Sequence, residues 1–138
     1  MALKLLTLNM EKDRHLDRVR STIATRLPDI VCLQEVREAD CAELADAGGY
    51  QVKYAVMTRM QAGTRVKPVQ GLTWGAAMLT RVPVLNQSTV YYSDDPTIRV
   101  FQQPNDPRRV LVATELELDG RCHRIITTHF TWSPDGQF

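Results

Sequence analysis

The sequence is short of several things, and each shortage closes off a class of function. Charge of one sign is missing. Seventeen Lys and Arg stand against sixteen Asp and Glu, for a formal net charge of +1. So balanced a chain carries no overall electrostatic footprint for nucleic acid or an anionic membrane. Cysteine is scarce, and Cys32, Cys41 and Cys122 are an odd number with no C-x-x-C pair. That argues against a disulfide framework and a zinc site, and it fits a reducing compartment. Cys32, inside an apolar run, reads as a small hydrophobe. No apolar stretch is long enough to span a bilayer and no signal peptide precedes the first apolar run, so a soluble, cytoplasmic protein is expected. A Gly-rich phosphate loop, a Ser-His-Asp set and a metal-binding His cluster are all missing. Repeats, low-complexity tracts and linkers are missing too, and 138 residues suit one domain with a sizeable core.

What the chain does have is a βαβ unit at its start. Leu3 to Asn9 reads as a strand, and Ile30 to Leu33, entered by Pro28-Asp29 and left by Gln34-Glu35, as a strand buried on both faces. Between them Leu16, Val19, Ile23 and Leu27 recur at helical spacing, predicting a helix over 12–27 with Arg14, Asp17, Arg18 and Arg20 turned to water. Asp13 is the expected N-cap, and Pro28 closes the helix. A βαβ crossover makes the two strands parallel, so Asn9 and Glu35 are expected side by side at one sheet edge, each just past its strand.

Further on, Arg37 to Ala47 reads as a short helix stopped by Gly48-Gly49. Tyr50, Val52, Tyr54 and Val56 alternate with polar or small residues, predicting a strand with that face buried. Residues 57–70, with Arg59, Gly63, Arg65, Lys67 and Pro68, read as a basic loop. Ala76 to Leu79 reads as a buried strand entered through Gly75 and broken by Arg81-Val82-Pro83, with a further strand starting at Thr89. Residues 93–107 read as a long loop. Val110, Val112, Thr114, Leu116 and Leu118 share one face of a hairpin strand. Asp119-Gly120 is a type I′ turn signal, and residues 122–130 return.

One amide oxygen and one carboxylate at a sheet edge suit Mg²⁺, a hard ion that keeps several waters and takes few protein ligands. Taken alone, Asn9 reads equally as a turn former, Glu35 as a helix-start residue and His129 as a strand-end histidine. His15 and His123 carry no special role. Arg108 and Arg109 can hold a phosphate or act as solvated gatekeepers before a strand.

Taken together, Leu5 to Asn9, Pro28 to Glu35, Gly75 to Val84 and Thr127-Thr128-His129-Phe130 resemble, in order and spacing, the endonuclease/exonuclease/phosphatase superfamily of Mg²⁺-dependent phosphodiesterases. The resemblance implies the first half of a four-layer α/β/β/α sandwich, a mixed β-sheet with helices on one face, with residues 1–138 as the N-terminal half of a domain. It implies Mg²⁺ (or Mn²⁺) held by Glu35 with Asn9. It also implies a catalytic histidine, His129, donating to the reacting phosphate, and phosphate binding by Arg109 (or Arg108). Trp74 departs from the family, which often has a polar or acidic residue before the central glycine. The family's Gly-Asp-x-Asn and Ser-Asp-His motifs, which orient and deprotonate the water, are not in this sequence. The expected function is therefore phosphoester hydrolysis by a chain that is incomplete and inactive alone. The rival is a non-catalytic half-domain or interaction module completed by a partner. Without a basic stripe, a small-molecule or lipid phosphodiesterase is favoured over a nuclease. A half-domain also predicts an uncovered apolar face, on the outward sides of the 110–118 and 122–129 strands, and hence self-association.

Overall fold

Ile30 to Leu33 have no polar residue among them to face water, and the fold uses both of their faces. In the computed structural model, which describes residues 3–60, 72–103 and 105–130, they open strand β2 (Ile30–Arg37). Val31 and Leu33 point to one side, where they pack with Val19 and Ile23 of helix α1 (Leu16–Arg26) and Leu44 of helix α2 (Glu38–Gly48). Ile30 and Cys32 point to the other side, into a separate apolar layer with Val110, Val112 and Leu116. Both layers are closed to water, and each fully buried large aliphatic stabilises the fold by about 1.5–3 kcal/mol.

Around β2 lies a mixed four-stranded sheet of order β1-β2-β4-β3, formed with β1 (Leu5–Lys12), β3 (Gln51–Arg59) and β4 (Thr73–Thr80). As the crossover predicts, β1 runs parallel to β2, with Leu5 opposite Ile30 and Leu8 opposite Leu33. The helices cover one face of this sheet. A three-stranded antiparallel sheet covers the other, in the order β5 (Val84–Tyr91), β6 (Val110–Leu118), β7 (Arg121–Thr128). The β6–β7 turn has Asp119 and Gly120 both at positive φ, as type I′ requires. The inward side of the second sheet buries Val110, Val112, Thr114 and Leu116. Its outward side carries Val90 and Ile126, each more than half exposed.

Several expectations need correcting. The first strand does not end at Asn9 but runs to Lys12, so α1 starts at Leu16 rather than Lys12. Asp13 does not cap it: His15 holds the N-cap position without a side-chain bond, and Asp13 instead pairs with Arg37 at 3.1 Å. Leu27 leaves the buried face, since Pro28 forces the helix to close and Leu27 takes the left-handed cap position, 44% exposed. In β3 the most buried side chains are Ala55, Met57 and Thr58 rather than Val52, Tyr54 and Val56; Val52 is exposed, while Tyr50, just before the strand, is buried. The reason is that β3 lies between two layers, so its small face meets the second sheet while Tyr54 packs toward the helices. The strand expected from Thr89 begins at Val84. Gly63, Arg65, Lys67 and Pro68 of the basic loop, and the polar tail from Thr131, lie outside the described residues.

Candidate functional site

Strict alternation would send Glu35 toward the helices, beside Val31 and Leu33. Instead β2 bulges. Leu33 pairs with Ala77 and Val36 with Gly75, so Gln34 and Glu35 together oppose one residue of β4. Glu35 adopts φ 51°, which costs a residue with a Cβ about 1–2 kcal/mol. The extra residue returns Val36 to the helix-side core and frees Glu35 to face the second sheet. β1 is irregular at the same level, between Asn9 and Lys12, with Glu11 and Lys12 at φ 46° and 72°. Non-glycine residues held at positive φ in both strands point to a functional site at this edge.

The second sheet brings the partners. His129 follows the last residue of β7, and Arg109 precedes the first of β6. Gln34 Nε2 donates to Thr127 Oγ1 at 2.7 Å, fastening the two sheets one residue before Glu35 and two before His129. His129 Nε2 lies 3.0 Å from Glu35 Oε1, and Arg109 Nη1 lies 2.6 Å from His129 Nδ1. A guanidinium has donors and no acceptor, so Nδ1 must accept. The ring therefore presents its Nε2–H to Glu35. Asn9 stands beside the group, near enough to help lower the Glu35 carboxyl pKa, and its Oδ1 accepts the Glu11 N–H at 3.0 Å. Asn9, Glu35, His129 and Arg109, all named from sequence, thus come together in space. Arg108 does not join them. Its guanidinium sits 3.7 Å from the centre of the Tyr91 ring and donates to Ser93 O at 3.1 Å.

Three of them, Glu35, Arg109 and His129, border a cavity of about 380 Å³ together with Glu11 and Lys12. Trp74, Phe101 and Pro107 form its apolar side. Burial lowers the pKa of Arg109, with the Glu35 carboxylate opposing. A partly desolvated cation at the cavity wall is a ready partner for an anion. The hydrogen bond from His129 holds the Glu35 carboxyl below the usual range, against the opposing effect of burial. A depressed carboxyl pKa stabilises the fold above the unfolded-state value, and that contribution is lost as pH falls through the folded value. The acid limb of a stability–pH curve should accordingly flatten in Glu35→Gln, measured by urea unfolding. Superimposable acid limbs would show that the His129 contact carries no such linkage.

Sequence reasoning missed Gln34, Thr127, Glu11, Lys12, Phe101 and Pro107. Gln34 and Thr127 were within quoted motifs, but their contact spans 93 positions and has no local signature. Phe101 and Pro107 come from a loop without periodicity. Among the described residues no three His, Cys, Asp or Glu are grouped to hold a metal, so any ion here rests on a sparse oxygen set. Glu35 and Asn9 do offer hard oxygens of the kind Mg²⁺ takes.

With this geometry in view, residues 6–133 match the model of the Endonuclease/Exonuclease/phosphatase family. The chain belongs to that family. No curated protein matches it. Among solved structures, an endonuclease/exonuclease/phosphatase family protein from Leptotrichia buccalis is similar at TM-score 0.68 and 17% identity, over 94% of this chain and 55% of that one. D. rerio TDP2 complexed with single-strand DNA product is similar at TM-score 0.63 and 17% identity, over 97% and 48%. The human Nocturnin catalytic domain with bound sulfate is similar at TM-score 0.65 and 18% identity, over 96% and 51%. At such identity these likenesses speak for the fold alone. The chain spans about half the length of these three structures. No helix among the described residues is long and apolar enough to cross a membrane.

Proposed function

We propose that this family member takes part in hydrolysis of a phosphoester with a bound divalent metal, Mg²⁺ or Mn²⁺. The observation that carries the reading is the convergence of Glu35, His129 and Arg109, from two different sheets, on one cavity. The Glu35 carboxylate would hold the ion, with the Asn9 amide oxygen assisting. The ion's chemistry would be Lewis-acid stabilisation of charge on the phosphoryl oxygens. Arg109 would pair with a phosphoryl oxygen, and His129, turning its Nε2–H from Glu35 to the phosphate, would stabilise the transition state. In the reaction water oxygen bonds to phosphorus, the bond to the leaving oxygen breaks, and that oxygen takes a proton.

No described residue is placed as general base. Glu35 would be engaged by the ion, and His129 accepts from Arg109 at Nδ1. The span of the chain against its solved relatives favours, as a second part of the reading, a half-site completed by a further segment or a partner chain. The sulfate in human Nocturnin and the DNA product in D. rerio TDP2 are in keeping with phosphoester recognition. A cytoplasmic setting agrees with three free cysteines, two of them buried, where burial pushes the thiol pKa of Cys32 up to about 11 and of Cys41 to about 12.

The test is hydrolysis of bis-(p-nitrophenyl) phosphate with Mg²⁺, by this chain alone and with the C-terminal half of a longer relative added. Slow turnover alone and restored turnover in the mixture are expected. In the mixture His129→Ala should lower the rate by about 10²–10³, the usual cost of one transition-state donor. Arg109→Ala should weaken phosphate binding, whereas Arg108→Ala should lower stability and leave it intact. A His129→Ala rate within a few-fold of the parent would remove His129 from the site.

A further inference from the structure

Glycine is the residue that takes left-handed backbone without strain, yet at the end of β1 that backbone is held by a lysine. Lys12 has φ 72°, a conformation that crowds any side chain with a Cβ. The pairing of β1 with β2 breaks at the same place. Asn9 lies opposite Gln34 and Lys12 opposite Val36, which sets Met10 and Glu11 against Glu35 alone. Strain of this kind persists where the side chain it aims has a use. Here the side chain borders the cavity of Glu35, Arg109 and His129.

The Lys12 ammonium has no carboxylate of its own. Its acidic neighbours in sequence are taken by arginines, Glu11 by Arg14 and Asp13 by Arg37. Glu35 Oε1 meets His129, and among the described residues no ion pair reaches Lys12. What stands under the ammonium is the Phe101 ring, 5.7 Å away, the outer limit of a cation–π contact. That ring is fixed. Phe101 N–H donates to Arg59 O at 2.9 Å and Thr58 Oγ1 to Arg99 O at 2.7 Å, pinning the loop to the end of β3. Trp74 braces the ring edge-on, with centroids 5.5 Å apart. A loose hold on a fixed platform keeps the cation at the cavity and leaves its three N–H donors unspent. Glu35 already feels it: held low first by the His129 hydrogen bond, its carboxyl is lowered also by the Lys12 charge.

We propose that Lys12 is a second phosphate-binding residue of this cavity, donating to an oxygen of the phosphoryl group that Arg109 also holds. The inference rests on the phosphate-binding reading of that site and adds a residue to it. One phosphoryl group is then gripped from both sheets, by Lys12 at the end of β1 and by Arg109 just before β6. Glu35 turns negative charge toward the cavity, and a second cation offsets its repulsion of an incoming anion.

The experiment is calorimetric binding of inorganic phosphate to the 138-residue chain, in Mg²⁺ buffer of low ionic strength. Lys12→Met keeps the straight stem and the same backbone cost, and should lower the affinity by about tenfold, as loss of one charged donor does. That loss should shrink as salt is added, which a packing defect would not do. Lys12→Arg returns the charge and should return the affinity. Lys12→Gly takes the left-handed turn freely and should still bind as weakly as Lys12→Met, since the ligand meets the charge and not the turn. An affinity in Lys12→Met within about threefold of the parent, or a loss that Lys12→Arg does not recover, overturns the role of Lys12. Weakened binding in Arg109→Ala would then leave the phosphate site standing without it. Absence of phosphate binding by the parent chain overturns the phosphate reading itself and the inference with it.

Discussion

Glu35→Gln should lower the affinity of this chain for Mg²⁺ or Mn²⁺ by at least about 100-fold, measured by calorimetry. Outer-shell partners of a metal site typically contribute 10–100-fold, and Glu35 is proposed as the ligand itself. Glutamine keeps the length and shape of the side chain, so the change isolates the charge. It also turns an acceptor into a group that can present N–H to the His129 Nε2–H, 3.0 Å away in the parent. Two donors then face each other unless the amide flips. Glu11 is the natural control, because its carboxylate also borders the cavity but is already paired with Arg14. Glu11→Gln should change metal affinity much less. Parental affinity in Glu35→Gln would take the metal assignment away from this residue.

Gly75→Ala should cost about 3–5 kcal/mol, at the upper end of what overpacking does and among the largest effects of a single substitution. A Cβ at this position would lie 1.9 Å from Ala55 O and 2.9 Å from Ala55 C. Both atoms are backbone, so no rotamer change relieves the contact, and β3 must move off β4. A domain typically has 5–15 kcal/mol in hand, and a loss of this size lowers Tm by about 10 °C or more. The damage should reach the site as well. Gly75 pairs with Val36, immediately after the bulge that aims Glu35. Weakened metal binding should therefore accompany the lowered Tm. A variant melting within a degree or two of the parent would mean that β3 and β4 are less closely held than their register indicates.

The βαβ start was legible because its signals are local. Four apolar residues in a row at 30–33 leave no polar face, and Val19 and Ile23 at helical spacing mark the one side of α1 that can be buried. Gly49 at φ 66° stops α2 where the Gly-Gly pair predicts. The errors came where a strand touches more than its own sequence neighbours. Alternation in β3 shows two kinds of residue but not which is more deeply covered, since that depends on a second sheet built some fifty residues later.

The candidate site divides in the same way. The residue types were fixed by composition and order: a terminal Asn, a Glu after a buried run, a His after two threonines, a pair of arginines. Periodicity could place Asn9 and Glu35 at one edge, because a right-handed crossover leaves no other arrangement. It could not place Glu35 on the correct side of the sheet, since strict alternation aims it at the helices and only the bulge turns it. Nor could it choose between Arg108 and Arg109. Both arginines precede β6, where alternation no longer applies, and only the packed structure sets Arg109 beside His129 and Arg108 over the Tyr91 ring. The meeting of Glu35 with His129 bridges 94 positions. It exists only because one sheet lies on the other, held near the site by Gln34 and Thr127. Contacts of that kind are decided by burying apolar area between layers, a property of the whole core that no stretch of sequence carries.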